Sequence, residues 1–140
     1  MLGVGCNSIG DSQTGRPMEN TDLLTTIQTA LGSHGEWKTR LMSSIATGKA
    51  DIPPTIASCD DRCDFGRWLY SPDVGPNIRT SVSYQVIRRL HADFHKSAGQ
   101  VIRCAIDGNR EKASSIMETD FAEKAQKLDR GLNKWMTDLK

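Results

Sequence analysis

Apolar residues recur at intervals of three and four along three long stretches, and every histidine of the chain falls on one of these stripes. The first stripe is Leu23/Leu24, Ile27, Ala30/Leu31, His34, Trp37, Leu41 and Ile45, closed by Gly48 and the Pro53-Pro54 pair. The second is Val82, Val86/Ile87, Leu90/His91, Phe94/His95, Ala98, Val101/Ile102 and Ala105, closed by Asp107-Gly108-Asn109. The third is Ala113, Ile116/Met117, Asp120/Phe121, Ala125, Leu128, Leu132, Trp135/Met136 and Leu139. This spacing places one apolar face along each of three long helices. No segment alternates with a period of two, so no sheet is expected. Between the first two stripes, Cys63–Tyr70 is a compact aromatic segment fenced by Pro72, Gly75 and Pro76. It has room for one or two helical turns. The pattern predicts an all-α, antiparallel up-down bundle of three long helices plus a short helical segment carrying Cys63. Three helices enclose a thin core, and a homodimer would complete it.

A chain of 140 residues fits one domain with its own core. Residues 1–20 are rich in Gly, Ser, Asn and Gln without apolar period and read as a flexible tail, leaving 21–140 as the domain. The formal net charge is +1 and no run of like charge stands out, which argues against nucleic acid or a membrane surface as partner. No apolar stretch approaches the ~20 residues that span a bilayer. The N-terminus lacks a basic segment followed by an apolar one, so a cytoplasmic location is expected. There, the four cysteines read as thiols or metal ligands rather than a disulfide framework.

Placing three imidazoles on core-facing stripes has a cost, because each ring carries two nitrogens to satisfy. A lone histidine on an apolar face is most often a satisfied core residue, and an H-x3-H pair arises by chance. Here His91 and His95 stand one turn apart on one helix face, and His34 shares its face with Ile27 and Leu41. A zinc ion would take one nitrogen from each ring, leaving the other for a carbonyl or carboxylate. The fourth tetrahedral position goes either to water, as in a catalytic three-histidine site, or to a thiolate. Cys63 is the best placed cysteine, since its segment must fold back onto the bundle. A helix starting there would favour its thiolate.

Three segments together, His34-x2-Trp37-Lys38, Arg62-Cys63-Asp64-Phe65-Gly66-x-Trp68-Leu69-Tyr70 and Leu90-His91-x2-Phe94-His95-x2-Ala98, resemble the chemoreceptor zinc-binding (CZB) family over roughly residues 23–139. The resemblance implies a helical bundle whose Zn2+ is held by His34, Cys63, His91 and His95. It also implies a bacterial sensory or regulatory domain, often homodimeric. Such domains are attached to chemotaxis receptors or diguanylate cyclases, or stand alone, and respond to zinc or to oxidants such as hypochlorous acid. No enzyme activity is implied. The alternatives are a structural zinc domain for dimerisation and a zinc hydrolase. Trp37, Phe65 and Trp68 are expected to pack around the site. Asp64 is expected either to bond a ligand imidazole or to stand exposed at a helix start. Cys59 is a candidate resolving thiol for Cys63, a loop residue without a role, or an alternative fourth zinc ligand that lies outside the family motif. Cys104 is expected to pack beside the second stripe, and Cys6 falls in the tail.

Overall fold

The computed structural model describes residues 20–139; Cys6 and the rest of the expected tail, apart from Asn20, lie outside them, as does Lys140. The chain runs α1 (Asn20–Thr47), α2 (Pro54–Ala57), α3 (Asp64–Leu69), α4 (Pro76–Arg79), α5 (Val82–Ile106), α6 (Arg110–Ile116), a π-helical turn (Met117–Phe121) and α7 (Ala122–Leu139). No strand occurs among the described residues. The fold is an all-α helical bundle. The Cys63–Tyr70 segment forms α3, as its length predicts. The Pro-containing stretches on either side add one short helix each, α2 and α4, both with proline in the first turn, where its missing N–H removes no helical bond.

The ends of the long helices follow from their sequence. Gly48 adopts φ 73°, and its N–H reaches Ser44 O at 2.8 Å, an αL stop for α1. Gly108 adopts φ 85°. There Asn109 N–H bonds Cys104 O and Gly108 N–H bonds Ala105 O, a Schellman ending. The Asn109 side chain then accepts from Lys112 N–H at 3.1 Å, so the residue that ends α5 also caps α6. Ser81 caps α5 by accepting from Tyr84 N–H. The tight turn makes α5 and the third helix (α6, the π turn and α7 taken together) antiparallel neighbours. By contrast, α1 and α5 run the same way: His34 meets His91 and Gly48 lies beside Ala105. The connection carrying α2–α4 returns the chain between them. Arg110 ties the bundle end together by donating to Ile45 O and Ala46 O, a cation placed at the carbonyl end of α1.

The third helix is not regular. Its buried residues Ala113, Met117 and Phe121 are spaced by four, wider than the 3.6 of an α-helix, and the π turn absorbs the excess. The core runs from Leu23, Ile27 and Leu41 on α1 through Ile87, Phe94 and Ile102 on α5 to Phe121, Leu128 and Leu132 on the third helix.

Candidate metal centre

His34 on α1 and His91 and His95 on α5 all project into the bundle, at 7%, 0% and 1% exposure. Cys63 enters from the side. It is the N-cap of α3, and its Sγ accepts from Gly66 N–H at 3.3 Å. Gly66 makes this possible, since a Cβ there would lie 1.7 Å from Asp60 O. The loop before Cys63 therefore lies against the backbone of α3. Tyr84 Oη–H donates to Leu69 O, and Tyr70 Oη–H donates to Asp60. These contacts fix the other end of α3 to α5 and to the loop.

The four ligand atoms lie within 4.8 Å of one another. His34 Nε2 is 3.0 Å from His91 Nε2, and Cys63 Sγ is 3.3 Å from His91 Nε2 and 3.8 Å from His34 Nε2. Around a tetrahedral zinc at ~2.0–2.1 Å from nitrogen and ~2.3 Å from sulfur, ligand atoms stand about 3.3 Å (N–N) and about 3.6 Å (N–S) apart. The two N–S separations bracket the ideal value, the His34–His91 N–N separation falls slightly short of it, and the set as a whole spans up to 4.8 Å, so the ligands need only close in from the widest pair to hold one zinc ion. Two rings are oriented for it. His34 Nδ1–H donates to Ala30 O at 2.8 Å and His95 Nδ1–H donates to Ala57 O at 3.0 Å. A carbonyl only accepts, so these nitrogens carry the protons and both Nε2 atoms present lone pairs. His95 Nε2 is buried and without a hydrogen-bond partner among the described residues, the condition a metal would relieve.

Electrostatics agree. Burial holds all three imidazoles below their ordinary value, to about 4 for His95. Its neighbours His95 and His34 lower His91 further, while the Ala30 and Ala57 carbonyls partly oppose burial at His34 and His95. Neutral imidazole is the form that ligates. Cys63 departs from expectation. Burial raises its thiol above the ordinary value, although the amides of Gly66 and Phe65 pull the other way. The start of a six-residue helix does not by itself ionise the sulfur; a cation beside it is needed.

Of the residues expected around the site, Trp37 meets His95 edge-on at 5.5 Å. Phe65 does the same to His34 and His91 at 5.8 and 5.1 Å. Trp68 stands one ring further out, stacked on Phe65 at 5.6 Å and tilted against Trp135. Asp64 does not reach an imidazole: its side chain is 99% exposed and 4.0 Å from Arg67, so it is the exposed carboxylate of a helix start. Cys59 is buried and disulfide-bonded, while Cys63 and Cys104 are free. A sulfur held in a disulfide has no thiol with which to resolve a Cys63 sulfenate, so this state of Cys59 differs from the expected resolving thiol. Cys104 packs half-buried on α5.

Sequence reasoning missed Phe94 as a site residue. It lies on the same stripe and packs against His34 at 5.1 Å and His95 at 5.3 Å. Its place between the two histidines was the available signal. The Ala30 and Ala57 carbonyls had none, since any residue supplies a carbonyl.

No helix among the described residues is long and apolar enough to cross a membrane. No curated protein and no solved structure gave a match. Residues 34–102, which span all four clustered ligands, match the family described as the chemoreceptor zinc-binding domain. That stretch gathers three histidines and one cysteine closely enough for one zinc ion, which supports a zinc-binding domain of the chemoreceptor zinc-binding kind over residues 34–102.

Proposed function

We propose that this domain is a zinc-dependent sensor, a non-enzymatic regulatory module that reads zinc availability or oxidants and controls a bacterial signalling output of the chemotaxis or cyclic-di-GMP type. The observation that carries this reading is the asymmetry of exposure among the ligands. The histidines are buried, whereas Cys63 is half-buried and lines, with His34, Trp37 and His95, a pocket of about 290 Å³. Three of the four ligands border this space, and the sulfur belongs to the only one of the four residues that is not buried. Bound zinc would supply the positive charge that keeps Cys63 ionised. A thiolate is the form that oxidants attack. With hypochlorous acid, Sγ gains the OH, its electron pair forms the S–O bond, and chloride leaves with the electrons of the O–Cl bond. The sulfenic acid is a poorer metal ligand.

The Tyr84–Leu69 and Tyr70–Asp60 bonds hold the far end of α3, so movement would begin at Cys63 and Phe65. Phe65 packs on two ligand rings, which would couple sulfur chemistry to helix packing. Four protein ligands fill a tetrahedral site and leave no open position for a substrate, which favours regulation over hydrolysis. We read the module as a cytoplasmic homodimer. The groove of about 840 Å³ between α1 and the third helix, with Leu31, Met42, Met117, Phe121 and Leu128 among its walls, offers a second copy an apolar surface.

The test is Cys63→Ser. The variant should keep its helical content, bind zinc more weakly, and release no additional zinc to a chromogenic chelator on oxidant treatment. Normal oxidant-driven release from the variant would place the response elsewhere. The second reading, a structural zinc site for dimerisation, draws on the burial of the three histidines. It predicts zinc held through oxidant exposure in the wild-type protein.

A further inference from the structure

We propose that Gly99 is a positioning residue for the metal centre: its missing side chain lets α2 sit close enough on α5 for the Ala57 carbonyl to hold the His95 ring. Gly99 is buried on α5, one turn beyond His95. A Cβ there would lie 1.9 Å from Ser58 Oγ, 2.9 Å from Ser58 Cβ and 3.0 Å from Pro54 O. The first contact could turn away with the hydroxyl, although that hydroxyl is bonded to Pro54 O at 2.8 Å. The other two involve the frame of α2 itself, which no rotamer relieves. Any side chain at position 99 therefore pushes α2 outward.

The consequence reaches the metal centre through one bond. Ala57 lies at the last position of α2, where a short helix leaves carbonyls without helical partners. Its carbonyl accepts from His95 Nδ1–H at 3.0 Å. That bond fixes the tautomer that turns His95 Nε2 into the cluster. His34 is oriented independently, by Ala30 within α1, and serves as an internal reference. The inference rests on the zinc-binding reading only for its effect on affinity; the ring-proton effect does not depend on metal.

An interior helical glycine without such a role gains stability on conversion to alanine, so the two accounts differ in sign. The experiment uses the full chain as wild type, Gly99→Ala, Ser58→Gly and Gly99→Ala with Ser58→Gly. Zinc affinity is measured by chelator competition. The His34 and His95 ring N–H protons are followed by long-range proton–nitrogen NMR, with and without added zinc. In Gly99→Ala, zinc affinity should fall roughly 10- to 100-fold, the usual range for losing a partner behind a metal-bound histidine. The His95 Nδ1–H should lose its exchange protection while that of His34 keeps it. Adding Ser58→Gly removes Oγ and Cβ from the clash and should restore the His95 proton toward the level of Ser58→Gly alone. If Gly99→Ala does not fold, the double variant carries the test by the same criterion. The proposal is overturned if Gly99→Ala keeps a protected His95 proton, if both ring protons are lost together, or if the double variant does not recover. Wild-type protein that takes up no zinc would instead overturn the metal reading and leave the ring-proton result standing.

Discussion

His91 and His95 sit inside a 25-residue helix whose neighbouring residues Ile87, Phe94 and Ala98 are themselves buried core, whereas Cys63 caps a six-residue helix reached through a loop. The histidine side is positioned by packing that exists whether or not a metal binds. The cysteine side is positioned by a few local contacts: the approach of Gly66 to Asp60, the Gly66 amide on the sulfur, and two tyrosine hydroxyls. A metal held between the two therefore joins a half fixed within one long helix to a half fixed by a short helix whose Phe65 and Leu69 also reach the core.

The strongest way to break this comparison is His91→Ala. It removes a ligand at 0% exposure from the histidine half. Zinc affinity should fall by more than the roughly 10–100-fold that loss of an outer hydrogen-bond partner costs. Titration calorimetry of wild type and variant reads it, and near-wild-type affinity would remove His91 from the ligand set.

Gly66→Ala probes the other half. The added Cβ meets backbone at Asp60, so α3 must shift, with a stability loss of about 1–3 kcal/mol as for other overpacked sites. In the cobalt-substituted protein the sulfur-to-metal charge-transfer band should weaken while helical content persists. An unchanged band would mean that Cys63 is positioned by something other than this contact.

Titration separates the halves by sign. His95 is pushed down to about 4 by burial, against ~6.5 in an unfolded chain. Its contribution to metal-free stability is present above that value and is lost as pH falls from ~6.5 through about 4, on the order of 3 kcal/mol. Cys63 is raised by burial, so its contribution is lost in the opposite direction, as pH rises through the ordinary thiol range. Urea melts of metal-free protein across pH should show both flanks. A flat acid flank would contradict the neutral, buried state of the imidazoles.

The smallest effect belongs to Asp64→Asn. The side chain faces solvent and touches no ligand. Zinc affinity should change by less than about twofold, and stability by roughly 0.5 kcal/mol, through loss of a carboxylate at a helix start. A large loss of affinity would mean that Asp64 turns inward when metal is bound.

The fold was legible because a core-facing helix must repeat apolar residues at its own period, and the stripes of His34, His91 and His95 did so. The π turn was legible only as a faint widening at Ala113, Met117 and Phe121. Spacing of four is close enough to the α-helical period that the stripe reads equally as one regular helix. The candidate site was legible to the extent that its chemistry resides in side-chain type. Asp64 was not, because a carboxylate one residue after a ligand has the same sequence whether it turns toward the imidazoles or away.

Sequence by itself determined which residues carry metal-binding chemistry and which helices bear them, because residue type and helical period are local properties. Tertiary structure alone decided how those side chains meet: the ligand separations near 3.0–3.8 Å, the carbonyls behind His34 and His95, and the glycine contacts that bring α2 and α3 close. These depend on the separation of backbones distant along the chain, and no local pattern encodes a distance between two helices.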